Sequence, residues 1–143
     1  MYVKQLSVFI ENTPGCLADF ARLLGDHRID LVSLSIADTT HFGILRCIVA
    51  DYERAEKLIA QAGYTVRITD VLAASVPDEP GGMAKVLCIL TEAGISIEYL
   101  YSFVRNAGSH ALLVFRVDQL DKAAQILADN QVKMLTQDEV RTL

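Results

Sequence analysis

A Pro-Gly step occurs twice in this chain, at Pro14-Gly15 and at Pro80-Gly81, and the residues around the second repeat the pattern around the first at an offset of 66. Ala18 matches Ala84, Leu24 matches Leu90 and Ile29 matches Ile95. Leu17, Phe20, Ala21 and Leu24 fall at i, i+3, i+4 and i+7, and Met83, Val86, Leu87 and Leu90 fall at the same four places. That spacing puts each set on one side of a helix, so each copy predicts an amphipathic helix with one buried stripe, starting at the Pro-Gly. A chain that writes one supersecondary unit twice must bury two copies of the same apolar face.

The flanking segments give the unit its order. Leu6, Val8 and Ile10 alternate with Gln5, Ser7 and Phe9, which predicts a half-buried strand before the first helix, and VLAASV at 71–76 is its counterpart before the second. A second strand follows each helix, over 30–37 and 95–105, and after a turn a third, over 44–50 and 111–117. Asp51 and Asp118 end the third strands and are expected to cap a second helix in each copy, carrying Ala55, Leu58, Ile59 and Ala62 or Ala123, Ile126 and Leu127. Closing strands are expected at 64–69 and 132–136. The order strand, helix, strand, strand, helix, strand is that of a ferredoxin-like α+β unit, an antiparallel sheet with helices on one face. The expected architecture is therefore two tandem units, residues 1–69 and 70–143, joined without a linker and packed as a pseudo-dimer.

Composition narrows the function. Hydrophobic residues make up 52% and charged residues 22% of the 143, a compact globular profile. The formal net charge of −5, with Lys and Arg scattered, argues against a nucleic-acid partner. No window approaches the ~18 apolar residues of a membrane span and no signal segment opens the chain, so no membrane partner and a cytoplasmic location are expected. Cys16, Cys47 and Cys88 are odd in number and far apart, which fits reduced thiols in apolar surroundings. His27, His41 and His110 show no metal-ligand spacing, and no nucleophile elbow, phosphate-cradling glycine loop or carboxylate–histidine set is present. No metal, no cofactor and no enzymatic activity are expected.

The Pro-Gly turn carries chemistry of its own. Proline at the first helical position loses no useful N–H, glycine beside it lets another group approach the backbone, and Asn12 or Thr13 is placed to cap. The N–H groups of Gly15, Cys16 and Leu17 then project from the positive end of the helix, where a carboxylate is favoured. The bland reading, a well-made helix start, applies equally to either copy taken singly; recurrence at corresponding places favours the binding reading.

A strand running into Asn-x-Pro-Gly-x-Leu, an amphipathic helix, then Ile-Asp-Leu at 29–31, resembles the ACT domain, a small regulatory module that binds amino acids. The resemblance covers essentially the whole chain as two copies and is similar to stand-alone tandem ACT proteins. It implies a ligand held at the interface of two ACT units, its carboxylate on the turn formed by Asn12, Thr13, Pro14, Gly15, Cys16 and Leu17. It also implies a contact from the residue opening the second strand, here Asp30 and, in the second copy, Ser96. Asp30 departs from the family's usual Asn and could pair with an α-ammonium. The second turn, Asp78, Pro80, Gly81, Gly82 and Met83, departs further, because the Asp78 charge opposes a carboxylate while Gly82 is expected to leave the backbone more open. The resemblance thus implies an amino-acid sensor acting on a separate metabolic enzyme, and two chains could also associate as a homodimer through free sheet edges. The alternative is a structural or adaptor protein that holds a partner through its exposed sheet face, where Tyr99, Tyr101 and Phe103 share one side of a strand.

Overall fold

The computed structural model describes residues 2–38, 41–103 and 108–143. The chain divides into two compact units, Lys4–Thr69 with Thr142, and Met1–Val3 with Asp70–Arg141 and Leu143. The first contains β1 (Val3–Glu11), α1 (Cys16–Asp26), β2 (Leu31–Asp38), β3 (Phe42–Val49) and α2 (Tyr52–Gln61). The second contains α3 (Gly82–Glu92), β5 (Ile97–Phe103), β6 (His110–Val117), α4 (Leu120–Asp129), β7 (Lys133–Met134) and α5 (Gln137–Arg141). Strand β4 (Val66–Pro77) gives its opening residues to the first unit and the rest to the second. The segments 64–69 and 71–76, read from sequence as two strands, are thus one strand. No Gly or Pro separates them, so nothing in the backbone chemistry interrupts the run.

Each unit has the expected α+β order. In the first, β2, β3, β1 and β4 lie side by side, with β1–β3 and β2–β3 antiparallel. In the second the order is β5, β6, β4, β7, with all three pairs antiparallel. A β-bulge falls at the same place in both copies, between Leu31 and Ser33 and between Ile97 and Tyr99. From the third strand onward the offset between copies becomes 68, as Leu45/Leu113, Val49/Val117, Ala55/Ala123 and Ile59/Leu127 show. The second copy therefore has two more residues between its middle strands, and of this connection 104–107 lie outside the described residues, as do the last two positions of the expected strand 95–105.

One core per unit lies between the sheet and its helices. Leu6, Val8 and Ile10 face Phe20, Leu24, Ala55 and Ile59 in the first; Leu72, Ala74 and Val76 face Val86, Leu90, Ala123 and Leu127 in the second. The cores solve the same volume problem differently. Where the first has Phe20 on its helix and Cys47 on its strand, the second has Val86 and Phe115, so the ring has moved from one layer to the other. Close packing demands such compensation, since a ring missing from both layers would leave a void and a ring in both would not fit.

Several local expectations change. Gln5, expected on the outward side of β1, is fully buried, and its amide donates to Ser7 Oγ at 3.2 Å. A buried amide must be bonded, which accounts for the pairing with a hydroxyl two residues along the same strand face. Asp51 does cap α2, its carboxylate accepting the Arg54 N–H at 3.1 Å. Asp118 does not cap α4: Gln119 holds that position, and the Asp118 carboxylate accepts the Ser96 N–H at 3.0 Å instead. Once the offset has become 68, the position equivalent to Asp51 is Gln119, one residue later than the aspartate. At the C-terminal end the expected strand 132–136 shortens to Lys133–Met134 and is followed by α5. Thr136 and Glu139 form a capping box there: the Glu139 carboxylate accepts the Thr136 N–H at 2.8 Å, and Thr136 Oγ1 accepts the Glu139 N–H at 3.2 Å. These donors hold the Glu139 carboxyl below its ordinary value.

The cysteines are all free, with Cys47 buried, Cys16 partly exposed and Cys88 exposed on α3 rather than in apolar surroundings. Cys88 sits on the exposed side of its helix with Lys85, Thr91 and Glu92, away from the buried Gly82, Val86 and Leu90. Burial pushes the Cys47 thiol up to about 12. Titration of the native protein at pH 8 with a chromogenic disulfide should therefore label Cys16 and Cys88 and reach Cys47 only after denaturant is added; rapid native labelling of all three thiols would show that the first core opens readily. Among the described residues no helix is long and apolar enough to cross a membrane.

Candidate functional site: two equivalent turns and two equivalent cavities

The strand-to-helix turn has the same geometry in both units. Gly15 has φ 90° and ψ −20°, and Gly81 has φ 88° and ψ −8°. Cys16 N–H donates to the Thr13 carbonyl at 3.3 Å, and Gly82 N–H to the Glu79 carbonyl at 3.0 Å. Thr13-Pro14-Gly15-Cys16 and Glu79-Pro80-Gly81-Gly82 are type II turns, with proline second and a left-handed glycine third. This corrects two expectations. The proline precedes the helix cap instead of opening the helix, because the third turn position needs positive φ and the glycine there becomes the cap. The Cys16 N–H, expected to be free, closes the turn. What remains open is the pair Leu17 and Ala18, and in the second unit Met83 and Ala84, whose N–H groups have no acceptor among the described residues. The first α-helical bonds come after them, from Asp19 N–H to Gly15 O at 2.8 Å and from Lys85 N–H to Gly81 O at 3.1 Å.

Asn12, Thr13, Pro14, Gly15 and Leu17 are exposed, as are Asp78, Pro80, Gly81 and Met83. Asn12 N–H donates to His41 O at 3.3 Å and Asp78 N–H to Ser109 O at 2.9 Å, so the turns are fixed to the third-strand loop by equivalent bonds. Thr13 Oγ1 and Cys16 Sγ lie 2.8 Å apart across the first turn. Gly82 is not the opening it was expected to be: it is buried, and a Cβ there would stand 2.1 Å from the Pro77 carbonyl oxygen. Its role is close packing of helix start on strand end. Asp30 and Ser96 open β2 and β5, at the ends of their own sheets remote from the turns: Leu31 pairs with Val49 and Ile97 with Val117, whereas the turn-side residues Glu11 and Pro77 pair with Phe42 and His110. Neither is brought to the turn of its own unit.

Beside each turn, on the helix side, is a cavity that sequence reasoning missed. In the first unit it has a volume of about 350 Å³ and in the second about 260 Å³. They are the same place in the two copies. Ile10 corresponds to Val76, Cys16 to Gly82, Asp19 to Lys85, Phe42 to His110, Tyr64 to Val132 and Thr65 to Lys133, all lining residues. Of the residues chosen from sequence, Cys16 and Gly82 alone are on the walls. Tyr64 on the wall of the first cavity packs edge-on against the core ring of Phe20 at 5.6 Å and 85°. Phe9 and Phe42 stand at the rim, each 56% exposed. Burial raises the Tyr64 hydroxyl above its ordinary value, and the Asp19 carboxylate and Cys16 thiol push it further the same way. The signal for these cavities was present in the sequence only as residues that line up across three separate segments, which needs the fold to bring them together.

The remaining candidates are accounted for structurally. His27 caps α1, its Nδ1 2.9 Å from Leu23 O while Arg54 Nη2 donates to its carbonyl at 2.9 Å. Tyr99, Tyr101 and Phe103 pair with Arg116, Val114 and Leu112, on the sheet face away from the helices. Among the described residues no group of three His, Cys, Asp or Glu is placed to hold a metal ion.

A family model described as an ACT domain pair matches residues 1–143. Among solved structures, protein BT0572 from Bacteroides thetaiotaomicron is 40% identical with a TM-score of 0.93, over 100% of this chain and 98% of that one. The ligand-free regulatory subunit of aspartate kinase from Thermus thermophilus shares the fold at 14% identity and a TM-score of 0.65, over 88% of this chain and 91% of that one. The corresponding subunit from Thermus flavus does so at 17% identity and 0.61, over 87% and 88%. No curated protein matches the chain. The match over all 143 residues, to a fold derived independently from the repeat, establishes that the chain belongs to the ACT domain pair family.

Proposed function

We propose that the protein is a non-catalytic regulatory protein that binds an amino acid at the Pro-Gly turn. ACT domains are regulatory modules, and the observation that carries the reading to this site is the repeated type II turn, which leaves the Leu17 and Ala18 N–H groups open at the positive end of α1. Those groups suit the ligand's carboxylate. The adjoining cavity supplies complementary chemistry: the Glu11 and Asp19 carboxylates suit the ammonium, and Phe9, Phe42 and Tyr64 suit a side chain. An amino acid needs less than the 350 Å³ present. Asp30 and Ser96, remote from their own turns, would contact a ligand only on the turn of another ACT unit, and closure of the ligand by such a unit is part of the proposal. Binding across two walls favours the arrangement in which both are correctly spaced, and a separate metabolic enzyme would read that shift.

A thermal-shift screen against the twenty amino acids tests this reading. A ligand at 100 times its Kd adds about 2.7 kcal/mol, which for a chain of this size raises Tm by roughly 5–10 °C. Asp19→Asn should weaken the shift by losing the ammonium partner, and Asn12→Ala by losing a side chain that would hold the ligand, since the turn's bond to His41 is made by the Asn12 backbone N–H and is kept. No shift with any amino acid would reject the sensor reading and favour the adaptor one, for which exposed Phe9 and Phe42 are the specific observation.

A further inference from the structure

The two equivalent cavities differ most in charge. At the position one helical turn into the helix, Asp19 in the first unit is replaced by Lys85 in the second, and at the strand after the second helix Thr65 is replaced by Lys133. Glu11, on the first cavity's strand wall, is replaced by Pro77. A wall with two carboxylates and no cation thus becomes a wall with two ammonium groups and no carboxylate, on the same backbone. His110 takes the place of Phe42 and adds a ring that can donate hydrogen bonds.

We infer that the second cavity is a binding site for a small anion, with Lys85 and Lys133 as its charged walls and His110 as a hydrogen-bond donor. Four observations converge on that class of ligand. No carboxylate among the described residues is within ion-pair distance of Lys85 or Lys133; the Glu139 carboxylate, which feels the Lys133 charge, does not line the cavity and is bound by Thr136. The cavity opens beside the first turn of the 11-residue helix α3, whose dipole adds positive potential to that of the lysines. Asp78, the acidic residue of the neighbouring turn, is not among the lining residues. The volume of about 260 Å³ is ample for a phosphate or a small dicarboxylate. Two cations lining one concave surface can hold a phosphate- or carboxylate-bearing molecule by charge-assisted hydrogen bonds better than a lone surface lysine can. The twin cavity, with Glu11 and Asp19, repels the same ligand. The inference does not depend on amino-acid binding at the first turn, which uses other residues in the other unit.

The test follows backbone amide resonances of the full-length chain during titration with inorganic phosphate and, separately, with succinate, at constant ionic strength. Saturable shifts are expected at Gly82, Lys85, Val132 and Lys133 and not at Cys16, Asp19, Tyr64 and Thr65. Saturation by phosphate alone identifies a phosphate-bearing ligand and saturation by succinate alone a carboxylate-bearing one. Lys85→Asp and Lys133→Thr, each importing the residue of the twin cavity, should weaken binding at least tenfold singly and remove it together. Both positions are exposed, and an aspartate in the first helical turn suits the dipole, so the fold should be retained. Linear, non-saturating shifts with both probes, equal shifts in the two cavities, or undiminished affinity in the double variant would each overturn the inference.

Discussion

Gly82→Ala should lower stability by on the order of 3 kcal/mol or more, and the melting temperature by roughly 10 °C, with the loss falling on the second unit's transition if the units melt separately. The reason is geometric. The added Cβ would stand 2.1 Å from the Pro77 carbonyl oxygen, a backbone atom that can yield only by moving the end of β4, which is paired with β6 from Leu72 to Pro77. Gly15→Ala is the informative contrast. A Cβ there meets nothing within 4 Å, so its cost is confined to holding an L-residue at φ 90°, about 1–2 kcal/mol. Both variants alter a glycine of a Pro-Gly turn, yet one tests packing and the other tests backbone conformation. Urea denaturation of the two side by side decides the matter: equal losses would show that the Pro77 contact relaxes cheaply and that Gly82 is there for some other reason. The contrast also bears on the binding site. Gly15→Leu, the obvious way to block ligand approach, carries conformational strain that weakens the helix start as well, so lost binding in that variant would not isolate the ligand contact.

Which parts of this structure could be read from sequence follows from how local each signal is. The two helices at the Pro-Gly turns, the alternation in β1 and the six-element order are carried by residues a few positions apart, and periodicity exposes them. The repeat multiplied that information, since a weak pattern seen twice at one offset constrains the fold more than either copy does. The junction at 66–77 was misread because two strand-like runs with no breaker between them look the same whether the chain turns or continues. Helix α5 was missed although Thr136-Gln137-Asp138-Glu139 is a capping-box sequence, because the apolar residues before it read as the closing strand. The cap at Gln119 was misplaced by one residue because two extra residues earlier in the repeat shift the register. The cavities lay beyond reach for a different reason. Asp19, Phe42 and Thr65 become neighbours only when α1, β3 and the segment leading into β4 are brought together, and the meaning of Lys85 and Lys133 emerges only by comparison with those residues at equivalent points in the fold.

Phe20→Ala should cost about 3–5 kcal/mol, the largest effect expected from any substitution near the first cavity, because it removes a fully buried ring from the core. It also removes the edge-on partner of Tyr64, so a residue of the cavity wall is loosened together with the core. Burial, and after it the Asp19 carboxylate and Cys16 thiol, raise the Tyr64 hydroxyl, and exposing the tyrosine further should bring its titration back toward the ordinary tyrosine value; the stability linked to the raised value is present at neutral pH and is lost as pH rises above about 10. The second unit shows how the same space can be filled another way, with valine on the helix and phenylalanine on the strand. Phe20→Val alone should cost about 2–3 kcal/mol through the void it leaves, and Cys47→Phe alone about 1–3 kcal/mol through overpacking. Together they rebuild the arrangement of Val86 and Phe115, and the double variant should be at least about 1 kcal/mol more stable than the sum of the single losses predicts. Strict additivity in urea melts would mean that positions 20 and 47 do not share one volume, and the compensation between the two cores would then be coincidence. A favourable coupling would show that the two copies diverged by exchanging large and small residues across one conserved space, which leaves the sheet and helix positions fixed while the walls of the adjoining cavities change.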